Sequence, residues 1–193
     1  MVGLYLGTGE ARWRENAEKL TDLLVRWHDE YGGLLAPYTS HSMPRVPFMI
    51  ALTVNSLARY LLIKKDKRVE ELIVHSVDDV VEHCLGPDGI FYYKELPSLR
   101  RPAPTNHMLE ALTHAYRITK DEKYLKLAAR QYLSRESAGR GAGWGGAKYI
   151  DGSGAVIVGS GGARSFADSY ASILLFAGEA GPKGFLKELE YPF

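Results

Sequence analysis

Apolar residues recur at helical spacing along most of this chain. In residues 10–29, Leu20, Leu23, Leu24 and Trp27 stand three or four positions apart with charges between them, which predicts an amphipathic helix. A more apolar helix is predicted over 47–65. A third follows over 68–85, with Val69, Leu72, Ile73, Val77, Val80 and Val81 on one side. The same pattern predicts helices over 106–119, 122–136 and 165–179. Three long segments, 30–46, 86–105 and the glycine-rich 137–164, lie between them.

A unit of 55 residues repeats within this pattern. Shifted by that distance, residues 106–127 lie over 51–72: Leu57 falls on Leu112, Ile63 on Ile118, Lys65-Asp66 on Lys120-Asp121 and Leu72 on Leu127. A looser third copy begins near Ser165. Each copy reads as helix, tight Lys-Asp turn, helix. A unit this size cannot bury its apolar face alone, so such repeats stack into solenoids or rings. The segments that follow the more charged helices repeat as well. Each has a glycine turn and then an apolar stretch: Asp29-Glu-Tyr-Gly-Gly-Leu-Leu, Asp88-Gly-Ile-Phe-Tyr-Tyr and Asp151-Gly-Ser-Gly-Ala-Val-Ile-Val. Asp-Gly and Gly-Gly allow tight turns, and the residues after them favour extended backbone. The short turns therefore gather at one end of the helix layer and the long loops at the other, where a binding face is expected. The three apolar helices, 47–65, 106–119 and 165–179, should form the inner wall, and the charged ones the outer wall.

Composition narrows the function classes. The formal net charge of +1, without a basic stripe beyond the adjacent Arg100 and Arg101, argues against nucleic-acid binding. The single cysteine, Cys84, excludes an internal disulfide and reads as a packing residue on its helix. No apolar run reaches the ~18 residues of a membrane span. The first residues lack the basic start of a signal peptide. The expectation is a soluble, cytoplasmic protein with no membrane partner.

The stretch Met108-Leu-Glu-Ala-Leu-Thr-His-Ala-Tyr-Arg-Ile-Thr-Lys-Asp-Glu-Lys-Tyr-Leu-Lys-Leu-Ala, with the Asp-Gly-Ile-Phe-Tyr-Tyr turn before it, resembles the α/α-toroid, or six-hairpin glycosidase-like, superfamily. Bacterial enzymes of that architecture hydrolyse or eliminate glycosidic bonds. The resemblance implies an all-α fold, an α/α toroid-like array of helical hairpins with short β segments in the long loops, over residues 1–193 as one domain. A full toroid of this class has six hairpins, whereas about three are visible here. The resemblance therefore implies a partial ring whose open ends expose apolar helix faces, as in a homo-oligomer or a chain with a missing partner domain.

Candidate chemistry follows from helix register. On the fourth helix His107, Glu110 and His114 form a polar stripe; the shifted positions on the second are Leu52, Asn55 and Arg59, and Asp168, Ser169 and Ser172 match in depth on the sixth. Such a stripe either lines a central cavity or is satisfied within the protein. Glycoside hydrolysis needs two carboxyl groups, ~5–5.5 Å apart for retention or ~6.5–9.5 Å for inversion. Glu110 and Asp168 are the best pair, both placed in the first turns of inner helices. Elimination beside a uronate instead needs a base, for which His107 or Tyr92 is available. His41, Arg45 and Arg101 would grip an acidic sugar, and Trp144 among its glycines would stack on one, with Tyr92 a further substrate-binding platform.

His107-x-x-Glu110-x-x-x-His114 lacks the His-Glu-x-x-His spacing of a zinc site, so no metal is expected. Gly141-x-Gly143-x-x-Gly146 lacks a surrounding βαβ unit, and no cofactor is expected. The sequence thus points to a glycoside hydrolase acting on an oligo- or polysaccharide, with an acidic sugar expected. The alternatives are a polysaccharide (uronate) lyase and a non-catalytic carbohydrate-binding or assembly domain.

Overall fold

The computed structural model describes residues 1–35, 43–95, 105–138, 148–150, 156–158 and 160–184, with the backbone alone for 133–138, 148–150, 156–158 and 160–169. Its helices are α1 (Val2–Thr8), α2 (Ala11–Tyr31), α3 (Pro47–Tyr60), α4 (Lys67–Cys84), α5 (Asn106–Thr119), α6 (Lys123–Ala138) and α7 (Ser160–Ala180). A short antiparallel hairpin, β1 (Lys148–Ile150) with β2 (Val156–Val158), precedes α7 and pairs Tyr149 with Ile157.

The helices form two layers. α5 packs between α3 and α7 in one layer, while α2, α4 and α6 cover the other side. This is the division expected from the apolar and charged helices. The 55-residue equivalence holds in three dimensions. Leu57 and Leu112 are both buried in the core, as are Val54 and Leu109. Asp66 caps α4 by accepting from the Arg68 amide at 3.1 Å, and Asp121 accepts from the Lys123 amide at 2.9 Å. In each copy the aspartate of the Lys-Asp turn satisfies a backbone N–H at the start of the outer helix.

Three boundaries differ from the periodic pattern. Helix α1 was not expected; it is a short helix with no buried residue, closed by left-handed Gly9 and packed on α2. The second predicted helix stops at Tyr60 and not at 65. The Tyr60 carbonyl accepts from the Ile63 and Lys64 amides, and this tight turn folds Ile63 back against the core. Helix α7 starts at Ser160, five residues before the predicted start, so Asp168 lies in its third turn and not in its first.

The Asp88-Gly89 turn forms as anticipated. Gly89 has φ +76°, Asp88 accepts from the Ile90 amide at 3.1 Å, and Leu85 and Phe91 make an isolated antiparallel bridge. Buried Gln131 on α6 holds this turn: its Nε2 donates to the Gly89 carbonyl and its Oε1 accepts from the Phe91 amide. No extended bridge follows the first glycine turn among the described residues; Leu34 is simply buried.

Two outcomes test this description. Asp66→Ala and Asp121→Ala should each cost about 1 kcal/mol in urea denaturation, and the asparagine variants should cost less. Cys84 is fully buried, and burial pushes its thiol up to about 12. In the folded protein it should therefore resist a maleimide at mild alkaline pH, and it should react at once when the chain is unfolded.

Candidate functional site

Three helices of one layer converge on Glu110. It lies in the second turn of α5, which Thr105 caps by accepting from the His107 amide. Its carboxylate is buried, at 7% exposure. From α7, Ser172 Oγ donates to Glu110 Oε2 at 2.8 Å. From α3, an Arg59 guanidinium nitrogen stands 3.8 Å from Oε1, and one turn along α5 itself His114 Nε2 stands 3.7 Å from the same oxygen. Asn55, the repeat equivalent of Glu110, donates from Nδ2 to the His107 carbonyl at 3.2 Å and so clamps α3 to the start of α5.

Burial by itself pushes the Glu110 carboxyl up. His114 and the Ser172 hydroxyl pull it down, aided by the charge of Arg59, and the net direction is below the ordinary glutamate value. At 3.7 Å the His114 contact is longer than a hydrogen bond, so its influence is chiefly electrostatic across the gap. Glu110 is therefore an ionised carboxylate at neutral pH. It is a proton acceptor and not a proton donor.

A cavity of about 210 Å³ opens beside this carboxylate, lined by Leu52, Asn55, Arg59, His107, Glu110 and Ser172 among others. Six of the nine stripe positions read from register line it; His114 does not, and the side chains of Asp168 and Ser169 lie outside the described residues. Among the described residues four buried polar atoms have no hydrogen-bond partner: Asn55 Oδ1 on this wall, His114 Nε2 on the far side of the carboxylate, and Trp13 Nε1 and Ser76 Oγ elsewhere. Such atoms usually mark a place where a ligand or water completes the bonding.

The other candidate residues fall elsewhere. Asp168 occupies the α7 position one turn before Ser172. Arg45 lies just before α3 with its charge engaged twice, donating from Nε to Asp79 Oδ2 at 2.8 Å and from Nη1 to Glu95 Oε2 at 2.7 Å. Asp79 also meets His83 at 3.3 Å. Arg45 thus ties the segment entering α3 to the end of α4 and to the segment after Phe91. The Tyr92 hydroxyl packs against Gly86, where an added Cβ would stand 2.9 Å from it. Neither side chain lines the cavity beside Glu110. His41, Arg101 and Trp144 lie outside the described residues.

Reading the sequence missed two contributors to this site. Ser172 was noted only for its depth, and its bond to Glu110 depends on the register of α7 against α5. Arg59 was noted only as the counterpart of His114, and it reaches across to the carboxylate on the neighbouring helix. Among the described residues no three His, Cys, Asp or Glu side chains are grouped so as to hold a metal ion, and no helix is long and apolar enough to cross a membrane.

No family model and no curated protein sequence matches the chain. Solved structures do. A D-mannose isomerase aligns with a TM-score of 0.52 at 20% identity, over 81% of this chain and 41% of its own. A GH76 α-mannanase from Bacteroides thetaiotaomicron aligns with a TM-score of 0.51 at 21% identity, over 70% of this chain and 37% of its own. Both are α/α-toroid proteins, and this chain has that fold. It spans less than half the length of either neighbour.

The depressed titration of Glu110 has a thermodynamic signature. A carboxyl that titrates lower in the folded state contributes stability above its unfolded value, and that stability is lost as pH falls through the folded value. The stability gap between wild type and Glu110→Gln should therefore be widest near neutral pH and close in acid, below the ordinary glutamate range. Urea midpoints measured across that interval would show it. A gap that stays constant with pH would contradict an ionised Glu110.

Proposed function

We propose that this chain is a partial α/α ring that carries a carbohydrate-processing site, with Glu110 as its general base. The observation that supports this most is the ionised, buried carboxylate facing a polar cavity on whose wall Asn55 Oδ1 lacks a partner. A sugar hydroxyl is both donor and acceptor, and so suits a wall made of Glu110, Asn55, Arg59 and His107. The solved neighbours favour the same class, since one is a mannose isomerase and the other a mannanase.

In the hydrolytic reading, Glu110 takes a proton from water as it attacks the sugar, and a second carboxyl protonates the leaving oxygen. Glu110 cannot be that donor while ionised, so the role goes to Asp168, one turn before Ser172 on α7. An acidic sugar would be matched by Arg59, whose side chain is 63% exposed at the cavity rim.

A second reading is favoured by one observation: His107 and Glu110 line the same cavity from one helix. Moving a proton between adjacent carbons of an open-chain sugar needs a base and an acid on one side of the substrate. These two residues would supply both in an aldose–ketose isomerisation.

One assay set separates the readings. The protein is incubated with mannans, acidic glycans and free aldoses, and read for new reducing ends, unsaturated-uronate absorbance and ketose signals by NMR. New reducing ends without absorbance support hydrolysis, and ketose signals support isomerisation. Absorbance would point instead to elimination, and silence across the panel to a non-catalytic binding domain. Glu110→Gln should lower the rate by at least about 100-fold in either favoured reading. Asp168→Asn should do so only for hydrolysis, and His107→Ala only for isomerisation.

A further inference from the structure

Two histidines meet on the outer layer, and neither lines the cavity beside Glu110. His28 lies in the last turn of α2 and His75 in the middle of α4. His28 Nε2 stands 2.8 Å from His75 Nδ1, with the two rings perpendicular at an interplanar angle of 89°. Such a bond joins an N–H on one ring to a lone pair on the other. On the far side of the His28 ring, Nδ1 stands 3.2 Å from Asp29 Oδ1. A carboxylate in that position holds the proton on Nδ1 and leaves the Nε2 lone pair directed at His75. The pair is open to solvent: the His28 side chain is 17% exposed, and His75 is an exposed residue.

The repeat shows that this pair is not a packing device shared by the outer helices. By the 55-residue shift His28 falls on His83 and His75 on Arg130. At that second contact the histidine turns away. His83 Nδ1 donates to the Asp79 carbonyl of its own helix at 2.8 Å, and Arg130 lies against Gly89. Only the α2–α4 contact brings two imidazoles together among the described residues.

We propose that His28 and His75 form a two-histidine chelate for a divalent copper ion. The spacing of the nitrogens selects the metal. With metal–nitrogen bonds of about 2.0–2.1 Å, nitrogens 2.8 Å apart subtend roughly 85° at the ion. That is the angle between neighbouring ligands in a tetragonal site, the geometry of copper(II). A tetrahedral zinc site would set them about 3.3–3.4 Å apart. On binding, the proton shared between the rings leaves to solvent, and a small swing of the exposed His75 ring turns both lone pairs to one point. Water fills the remaining positions. Asp29 becomes the carboxylate that orients a ligating histidine, and the carbonyl end of α2 favours the positive charge. The ion would join α2 to α4 beside the Arg68–Asp22 pair, which already links them at 3.1 Å. It is independent of the reaction Glu110 serves.

Copper(II) chloride titrated into the metal-stripped protein tests this without any substrate. Calorimetry should show one tight site per chain, and electron paramagnetic resonance a tetragonal signal with splitting from two nitrogens. Copper should also raise the urea midpoint, because it binds the folded chain. His28→Ala and His75→Ala should each weaken binding by at least about tenfold and abolish the rise, while circular dichroism shows the helices retained. His83→Ala, at the repeat-equivalent position, should leave both unchanged. Zinc chloride should bind at least about tenfold more weakly than copper. Copper binding indifferent to both His28→Ala and His75→Ala, an equal loss in His83→Ala, or zinc bound as tightly as copper would each overturn the proposal.

Discussion

An ionised carboxylate inside a helix layer is the constraint around which this structure is arranged. Glu110 sits on the helix with neighbours on both sides, where an unpaired charge would cost several kcal/mol. It is tolerated because α7 brings Ser172 to one oxygen, while α3 brings Arg59 and α5 itself brings His114 toward the other. Remove either neighbouring helix and the charge loses part of its support. The order α3–α5–α7 is therefore both a packing solution and an electrostatic one.

The same region is incompletely satisfied, and that is the functional clue. Elsewhere Trp13 Nε1 and Ser76 Oγ are also buried without partners, but the groups that fix the turns are paired. Arg45 spans Asp79 and Glu95, Gln131 holds the turn at Gly89, and Asp66 and Asp121 cap their helices. Beside Glu110, Asn55 Oδ1 is buried without a partner on the cavity wall, and His114 Nε2 lacks one along α5, 3.7 Å from the carboxylate. A buried acceptor without a partner and a carboxylate on the wall of one cavity are an arrangement that a polar ligand would complete.

Much of this was legible from residue spacing, for a physical reason. Helix periodicity and the 55-residue repeat are local signals, so they carried the two layers, the Lys-Asp turns and the stripe of His107, Glu110, Asn55 and Arg59. Long-range partners are not local. Nothing in the sequence around Ser172 announces a bond to Glu110, and nothing around Arg45 announces that Asp79 and Glu95 hold it. Arg45 looked like a ligand-gripping arginine because loop position alone does not reveal whether a charge is already paired. Helix ends were also hard to read. The close of α3 at Tyr60 depends on Ile63 finding the core, and the glycines at the start of α7 hid a helix that begins at Ser160.

The account turns on the charge of Glu110 in the folded protein. Its side-chain carboxyl resonance, followed by ¹³C NMR through an acid titration, measures that charge directly. The account predicts a midpoint below that of ordinary glutamates and a resonance that moves when a processed sugar is added. A midpoint at or above the ordinary value would contradict it, because the buried group would then be a neutral acid and could not serve as the base.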